Sequence, residues 1–192
     1  MGIILVTGPA RSGKSEWAES LATEFSKSVI YLATAQIDTS DREWANRIAQ
    51  HRHRRPQSWQ TCEVPHLDLI TAIANAPASS CLLIDSLGTW VANLLEQEDS
   101  KWQETVQSLL VTLQQVEAKE VVLVAEETGW GVVPAYPSGR LFRDRLGNLV
   151  RRISAIAQAV YLVTGGYALN LTTLGTPLNQ RSVTRETRRQ GR

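Results

Sequence analysis

Gly8-Pro9-Ala10-Arg11-Ser12-Gly13-Lys14-Ser15, preceded by the apolar run Ile3-Ile4-Leu5-Val6, is the stretch on which the fold turns. It spells G-x-x-x-x-G-K-[ST], the Walker A phosphate loop, with a strand pattern before it and a helical pattern after it. Chemistry explains the spelling. Gly8 and Gly13 let the backbone turn tightly enough for successive N–H groups to point inward at phosphate oxygens, and the dipole of the following helix reinforces that anion site. Lys14 is placed to reach the β- and γ-phosphates, and the Ser15 hydroxyl to ligate Mg²⁺. The stretch predicts a bound nucleoside triphosphate or a similar phosphate.

Outward from this loop, short apolar runs alternate with longer amphipathic ones. Strands are expected at Ile3–Thr7, Val29–Ala33, Cys81–Asp85, Val121–Ala125 and Ala159–Val163, with a weaker sixth at Ala168–Leu174. The first five are nearly continuously apolar, as in strands covered on both faces of a parallel sheet. Helical patterns fall at about Lys14–Phe25, Asp41–His53, Pro65–Ala74, Leu87–Leu95, Lys101–Ala118 and Arg140–Ala157. This β-α alternation predicts a doubly wound α/β fold of the P-loop NTPase, RecA-like kind: a mostly parallel central sheet flanked by helices, with ligands at the strands' carboxyl ends. One domain over residues 1–175 is expected, followed by a polar tail over 176–192 that carries five arginines and reads as frayed or disordered.

Composition narrows the classes. The chain has 192 residues, with 20 Lys+Arg against 19 Asp+Glu, and so lacks the field that nucleic acid or an anionic membrane would call for as main partner. Cys62 and Cys81 have no metal-binding spacing, which favours a reducing compartment. Met1-Gly2 leads straight into a core strand without a basic region and cleavage site, and no apolar run reaches the ~18 residues of a membrane span. A cytoplasmic protein is expected.

Three strand ends are candidates for chemistry. Cys81-Leu82-Leu83-Ile84-Asp85 closes four apolar residues with an acid, which fits the Walker B carboxylate that holds Mg²⁺ beside Ser15; a strand ending in an exposed Asp reads the same way. The second end, Ala33-Thr34-Ala35, is small and hydroxyl-bearing and is followed by Arg47-Ile48-Ala49-Gln50-His51-Arg52-His53-Arg54-Arg55-Pro56, two histidines among four arginines. A solvated basic helix end would also explain that cluster. The third is Ala125-Glu126-Glu127-Thr128-Gly129-Trp130-Gly131-Val132-Val133-Pro134, whose Gly-Trp-Gly costs too much backbone freedom for a routine connection and suggests a substrate-facing loop.

Taken in order, these residues resemble the bifunctional adenosylcobinamide kinase/adenosylcobinamide-phosphate guanylyltransferase family. The resemblance rests on Gly8–Ser15, Ala33-Thr34-Ala35, the R-I-x-x-H-x-x-x-R-P-x-x-W-x-T-x-E run from Arg47 to Glu63, Leu83-Ile84-Asp85-Ser86-Leu87-Gly88-Thr89-Trp90 with Asn93-Leu94-Leu95, Glu127-x-Gly129-Trp130-Gly131-Val132-Val133-Pro134, and Arg140-Leu141-Phe142-Arg143-Asp144. It spans Met1 to about Thr164. Where the family pattern has a small residue and an Asn before Glu127, this chain has Ala125-Glu126.

The resemblance implies phosphorylation of the aminopropanol hydroxyl of adenosylcobinamide, then transfer of GMP from GTP onto that phosphate to give adenosylcobinamide-GDP. It implies a GMP-histidine intermediate at His51, which the spacing from Arg47-Ile48 and to Arg55-Pro56 selects over His53, with Lys14 the other catalytic residue. Neutral imidazole is nucleophilic near neutral pH, and a phosphoramidate is readily cleaved by the next phosphate. Nucleotide contacts are implied on Gly8, Pro9, Ala10, Arg11, Ser12, Gly13, Lys14, Ser15, Ala33, Thr34, Ala35, Arg52, His53, Arg54, Arg55, Glu63 and Asp85. Mg²⁺ would sit on Ser15 and Asp85, with Glu127, Gly129, Trp130 and Gly131 on the substrate loop. GTP and ATP are the implied co-substrates, and a ring-like homo-oligomer, a trimer, is the implied assembly. Two other readings stay open: a P-loop small-molecule kinase without a covalent intermediate, for which His51 is dispensable, and a non-catalytic nucleotide-binding module or motor subunit.

Overall fold

The structure is a computed structural model that describes residues 2–25, 27–35, 48–49, 52–115 and 120–178. Strand β1 (Ile3–Gly8) ends in the phosphate loop, and helix α1 (Lys14–Glu24) begins at the loop's lysine. Next come β2 (Ser28–Ala33), β3 (Gln60–Glu63), α2 (Asp68–Asn75), β4 (Ser80–Asp85), α3 (Leu87–Asn93) and α4 (Asp99–Gln115). The described chain closes with β5 (Glu120–Glu126), α5 (Pro137–Ser154), β6 (Ala159–Thr164), β7 (Tyr167–Asn170) and the single turn α6 (Leu171–Leu174).

The strands form one sheet in the order β3-β2-β4-β5-β1-β6-β7. Every pairing is parallel except β6 with β7, which Gly165 and Gly166, both at positive φ, turn back on itself. Each central strand is apolar on both faces because both are covered. Leu82 and Ile84 of β4 face a core with Leu69, Ile73, Trp90 and Leu109 from α2, α3 and α4, while Cys81 and Leu83 face Ala18 and Leu21 of α1. The period of two along a strand puts successive residues into these opposite cores. The sheet and its flanking helices are those expected from the β-α alternation.

Three elements differ from the sequence reading. Strand β3 was not anticipated. Gln60-Thr61-Cys62-Glu63 is mostly exposed at the sheet edge, and an edge strand needs little apolar surface to pair. The strand expected over Ala168–Leu174 stops at Asn170, whose side-chain oxygen accepts from the N–H groups of Thr172 and Thr173. That cap converts the remaining residues into α6. Helix α5 begins earlier than expected because Pro137 stands in its first turn, where its missing N–H and fixed φ do no harm. Of the helix expected over Asp41–His53, positions 48–49 and 52–53 lie among the described residues, and all four are helical. The tail expected from 176 onward falls outside them beyond Leu178.

Register brings the strand tips to the same end of the sheet. Gly8 pairs with Glu126, while Ala33 pairs with both Asp85 and Glu63. The sequence-nominated strand ends therefore share one edge of the sheet.

Candidate functional site

The phosphate loop carries the marks of a ligand cradle. Gly13 sits at φ 90, where an L side chain is strained, and a Cβ on Gly8 would lie 2.4 Å from the Val163 carbonyl oxygen. Arg11 also has a positive φ of 59, the kind of backbone cost that collects at ligand clamps. Gly13 gives α1 no side-chain cap, so the first N–H groups of that helix are left for an anion. The Ser12 hydroxyl is enclosed and has no hydrogen-bond partner in the structure. Lys14 is buried, and its ammonium donates to the Pro9 carbonyl at 3.3 Å, across the turn a phosphate would fill.

At the tip of β4 the Asp85 carboxylate accepts through Oδ2 from the Tyr31 hydroxyl at 2.8 Å. Tyr31 is buried in β2, and the Arg55 guanidinium lies 3.4 Å from its ring centroid. Burial first, then the neighbouring Asp85, pushes the Tyr31 phenol above its ordinary range, so it stays a proton donor. Ser15 and Asp85 offer only oxygen, the donor type Mg²⁺ takes when phosphates and water fill its other positions. Among the described residues no three His, Cys, Asp or Glu converge on a metal cage.

The basic segment is anchored rather than merely solvated. Arg54 donates to both carboxylate oxygens of Glu19, at 2.9 and 3.0 Å, and to Glu16 at 3.0 Å. Its charge is thus shared with two acids of α1. Arg52 meets Glu63 at 3.4 Å at the exposed tip of β3. His53 is exposed. His51 lies outside the described residues. Thr34 is buried, with its hydroxyl donating to the Ser86 carbonyl at 2.7 Å and accepting from the Ser86 N–H at 2.8 Å. That hydroxyl serves the junction between β2 and β4, so a ligand at this strand end would meet the backbone and the small Ala33 and Ala35.

Strand β5 lies between β1 and β4, and its tip adds a residue that the sequence reading did not nominate. Glu126 Oε1 accepts from the Ser86 hydroxyl at 2.6 Å, while Oε2 is enclosed without a partner. Burial raises its carboxyl above the ordinary range, Asp85 adds to the rise, and the Ser86 hydrogen bond and Lys14 oppose it. The signal was in view, because Glu126 is the first acid of the pair that ends β5. Its partner Glu127 accepts from Thr7 Oγ1 at 2.6 Å, and its N–H donates to Gly8 O at 2.9 Å. Glu127 thus pins the loop that leaves β5 to the root of the phosphate loop.

Beyond Glu127 the loop is apolar and open: Trp130 is 60% exposed and Val132 95%. Two arginines of α5 hold it. Arg143 donates to Gly129 O at 2.9 Å, and Arg140 to Pro134 O and Ala135 O at 3.0 and 2.7 Å. The structure brings the phosphate loop, the tips of β2 to β5 and the residue 52–55 segment to one edge, with Gly129–Gly131 on the loop that leaves β5. No helix among the described residues is long and apolar enough to cross a membrane.

Solved structures share this architecture at low identity. An ATPase of a type III secretion system from pathogenic bacteria superposes with a TM-score of 0.59 at 12% identity, over 91% of this chain and 58% of the other. A structural-study protein of Pyrococcus horikoshii OT3 gives 0.54 at 7% identity, over 88% and 85% of the two chains. These likenesses show the fold alone. Sequence relatives are much nearer. The bifunctional adenosylcobalamin biosynthesis protein CobP of Pseudomonas aeruginosa is 39% identical, over 87% of this chain and 95% of its own length. The CobU proteins of Salmonella typhimurium and Escherichia coli are 38% and 40% identical, each over 88% of this chain and 99% of its own. The model of the cobinamide kinase / cobinamide phosphate guanyltransferase family matches residues 4–171, and the chain belongs to that family.

Proposed function

We propose that this chain phosphorylates the aminopropanol hydroxyl of adenosylcobinamide with ATP or GTP and then transfers GMP from GTP onto the new phosphate, giving adenosylcobinamide-GDP. The observation that carries the reading is the continuous family match over residues 4–171. The phosphate loop and the acids and arginines at the strand tips fall inside it.

In the first reaction, Lys14 and the loop N–H groups bind the β- and γ-phosphates and offset their charge as the γ-phosphoryl group leaves for the acceptor oxygen. Ser15 and Asp85 would hold Mg²⁺, which when bound supplies further charge neutralisation. In the second reaction the His51 imidazole attacks the α-phosphorus of GTP, and pyrophosphate departs. The phosphate of the acceptor then attacks the same phosphorus and releases the imidazole. Arg52, Arg55 and Glu63 are the proposed nucleotide-facing groups of that step, with Arg54 holding their segment to α1. Glu127, Gly129, Trp130 and Gly131 face the acceptor. Residues 1–175 form the unit carrying both reactions, residues 176–192 are a tail, and the setting is a cytoplasmic homo-oligomer, a trimer.

Incubation with Mg²⁺ and GTP labelled at the α-phosphate, followed by denaturation, tests the reading. Acid-labile, base-stable label on wild type that is lost in His51→Ala is the expected result. A GTP-binding wild type that phosphorylates adenosylcobinamide but retains no label leaves only the kinase half.

A further inference from the structure

Tyr31 is buried in the β2 face that packs on α1, where a phenylalanine would serve the core equally well. The hydroxyl therefore needs its own explanation. Register pairs Tyr31 with Leu83 and Ala33 with Asp85, so the phenol leans forward past one pair of residues to reach the tip of the next strand. There it donates to Asp85 Oδ2 at 2.8 Å. On its other side the ring is covered by Arg55, at 3.4 Å from the centroid, close enough for a cation–π contact. A buried aromatic ring clamped between a core and a guanidinium has little rotamer freedom, and its hydroxyl is fixed with it.

We infer that Tyr31 is a positioning residue for the metal-binding carboxylate: its O–H holds Asp85 in one orientation at the strand tip, with Arg55 clamping the ring from outside. Partners behind a metal ligand set its direction and, when removed, weaken metal affinity without touching the metal. This inference rests on the proposed role of Asp85 toward Mg²⁺. It adds that the basic segment of the transfer reaction and the carboxylate of the kinase reaction both touch this phenol.

The test is a double-mutant cycle read by binding. Fluorescent GTP is titrated against wild type, Tyr31→Phe, Asp85→Asn and the double variant, across a range of Mg²⁺ and also in EDTA. Tyr31→Phe keeps the ring and the Arg55 stack. It should raise the Mg²⁺ concentration for half-maximal nucleotide binding about tenfold, leave binding in EDTA unchanged, and have no further effect once Asp85 is Asn. An unmoved Mg²⁺ midpoint, a loss of binding in EDTA as well, or effects that simply add in the double variant would overturn it. If Asp85→Asn itself leaves the Mg²⁺ dependence of wild type intact, the metal role of Asp85 fails and takes the inference with it, although label on His51 would still stand. A second readout needs no variant. The ¹³Cζ resonance of Tyr31 should move when Mg²⁺ joins bound nucleotide in the wild-type protein, and a stationary resonance counts against the inference.

Discussion

Arg54 grips Glu19 through two parallel hydrogen bonds of 2.9 and 3.0 Å, tying the basic segment to the helix that begins with Lys14. The bidentate geometry makes this pair worth more than an ordinary surface contact, yet Arg54 is 37% exposed and water screens it. Arg54→Ala should therefore cost about 1 kcal/mol, with the loss shrinking at high salt. Its larger effect should fall on labelling by GTP, because the segment that carries the arginines proposed to face the nucleotide is released. Thermal melts at two ionic strengths, with α-phosphate labelling alongside, check both parts. A stability loss that does not change with salt would contradict the electrostatic account.

Lys14 is buried against a single long bond to Pro9 O. Besides that bond the nearby Glu126 carboxyl interacts favourably with its charge, but burying an ammonium is costly, and phosphate would be its strongest partner. Lys14→Ala should melt no lower than wild type without nucleotide and should lose the upward shift that saturating ATP or GTP gives the wild type. Kinase turnover should fall by about 10²- to 10³-fold, the usual effect of removing one transition-state donor. Differential scanning fluorimetry with and without nucleotide separates these outcomes from a plain folding defect.

Much of this site is legible in the sequence, because phosphate binding demands particular residues at particular spacings. Gly8, Gly13 and Lys14 announce themselves, and Asp85 follows from four apolar residues closed by an acid. What escaped is what depends on neighbours distant in sequence. Strand β3 pairs through backbone alone, so Gln60–Glu63 shows no apolar pattern. Tyr31 reads as a core aromatic until β4 places Asp85 beside it. Glu126 reads as half of an acidic loop, and only the order β4-β5-β1 shows that it stands between Asp85 and the phosphate loop. Nor can sequence show that Arg54 bonds to Glu16 and Glu19 of α1.

Glu126 gives the protein a pH dependence of stability whose sign follows from its burial. Its carboxyl is raised above the ordinary 4.5, so the unfolded chain releases that proton at a lower pH than the folded one. The group's contribution is fully present below the unfolded value and is lost as pH rises through the folded value. Glu126→Gln removes the ionisation while keeping an oxygen for Ser86. The variant should lose this part of the decline in stability above pH 4.5, and at neutral pH it should be at least as stable as wild type. Urea melts across the pH range measure this. A variant that is less stable than wild type at neutral pH would show that the charged carboxylate stabilises the fold.

Gly8 closes the phosphate loop under the carbonyl of Val163 on β6. A methyl group there would sit 2.4 Å from a backbone oxygen, and neither the strand nor the loop can yield without disturbing its own hydrogen bonds. Gly8→Ala should cost about 1–3 kcal/mol as overpacking and should weaken nucleotide binding in the fraction that folds. Unfolding midpoints and nucleotide titration of the soluble fraction test the two effects separately.

Arg143 and Arg140 anchor the Gly-Trp-Gly loop from the same face of α5, through Gly129 O and through Pro134 O with Ala135 O. Neither side chain bonds to the phosphate loop. The loop between these anchors carries its apolar residues outward, with Trp130 60% exposed, so the arginine bonds to its carbonyls and the Glu127 bond at its root are what hold it in shape. Arg143→Ala removes one such bond from the glycine that precedes Trp130, and a freed loop must be reordered each time the acceptor binds, at about 1–2 kcal/mol per residue refixed. The KM for adenosylcobinamide should rise about tenfold while the KM for ATP or GTP and the nucleotide-induced thermal shift stay unchanged. Steady-state kinetics with each substrate varied in turn decides it. A parallel rise in both KM values would mean that α5 supports the whole edge of the sheet, and an unchanged acceptor KM would mean that the Gly-Trp-Gly loop does not meet the acceptor.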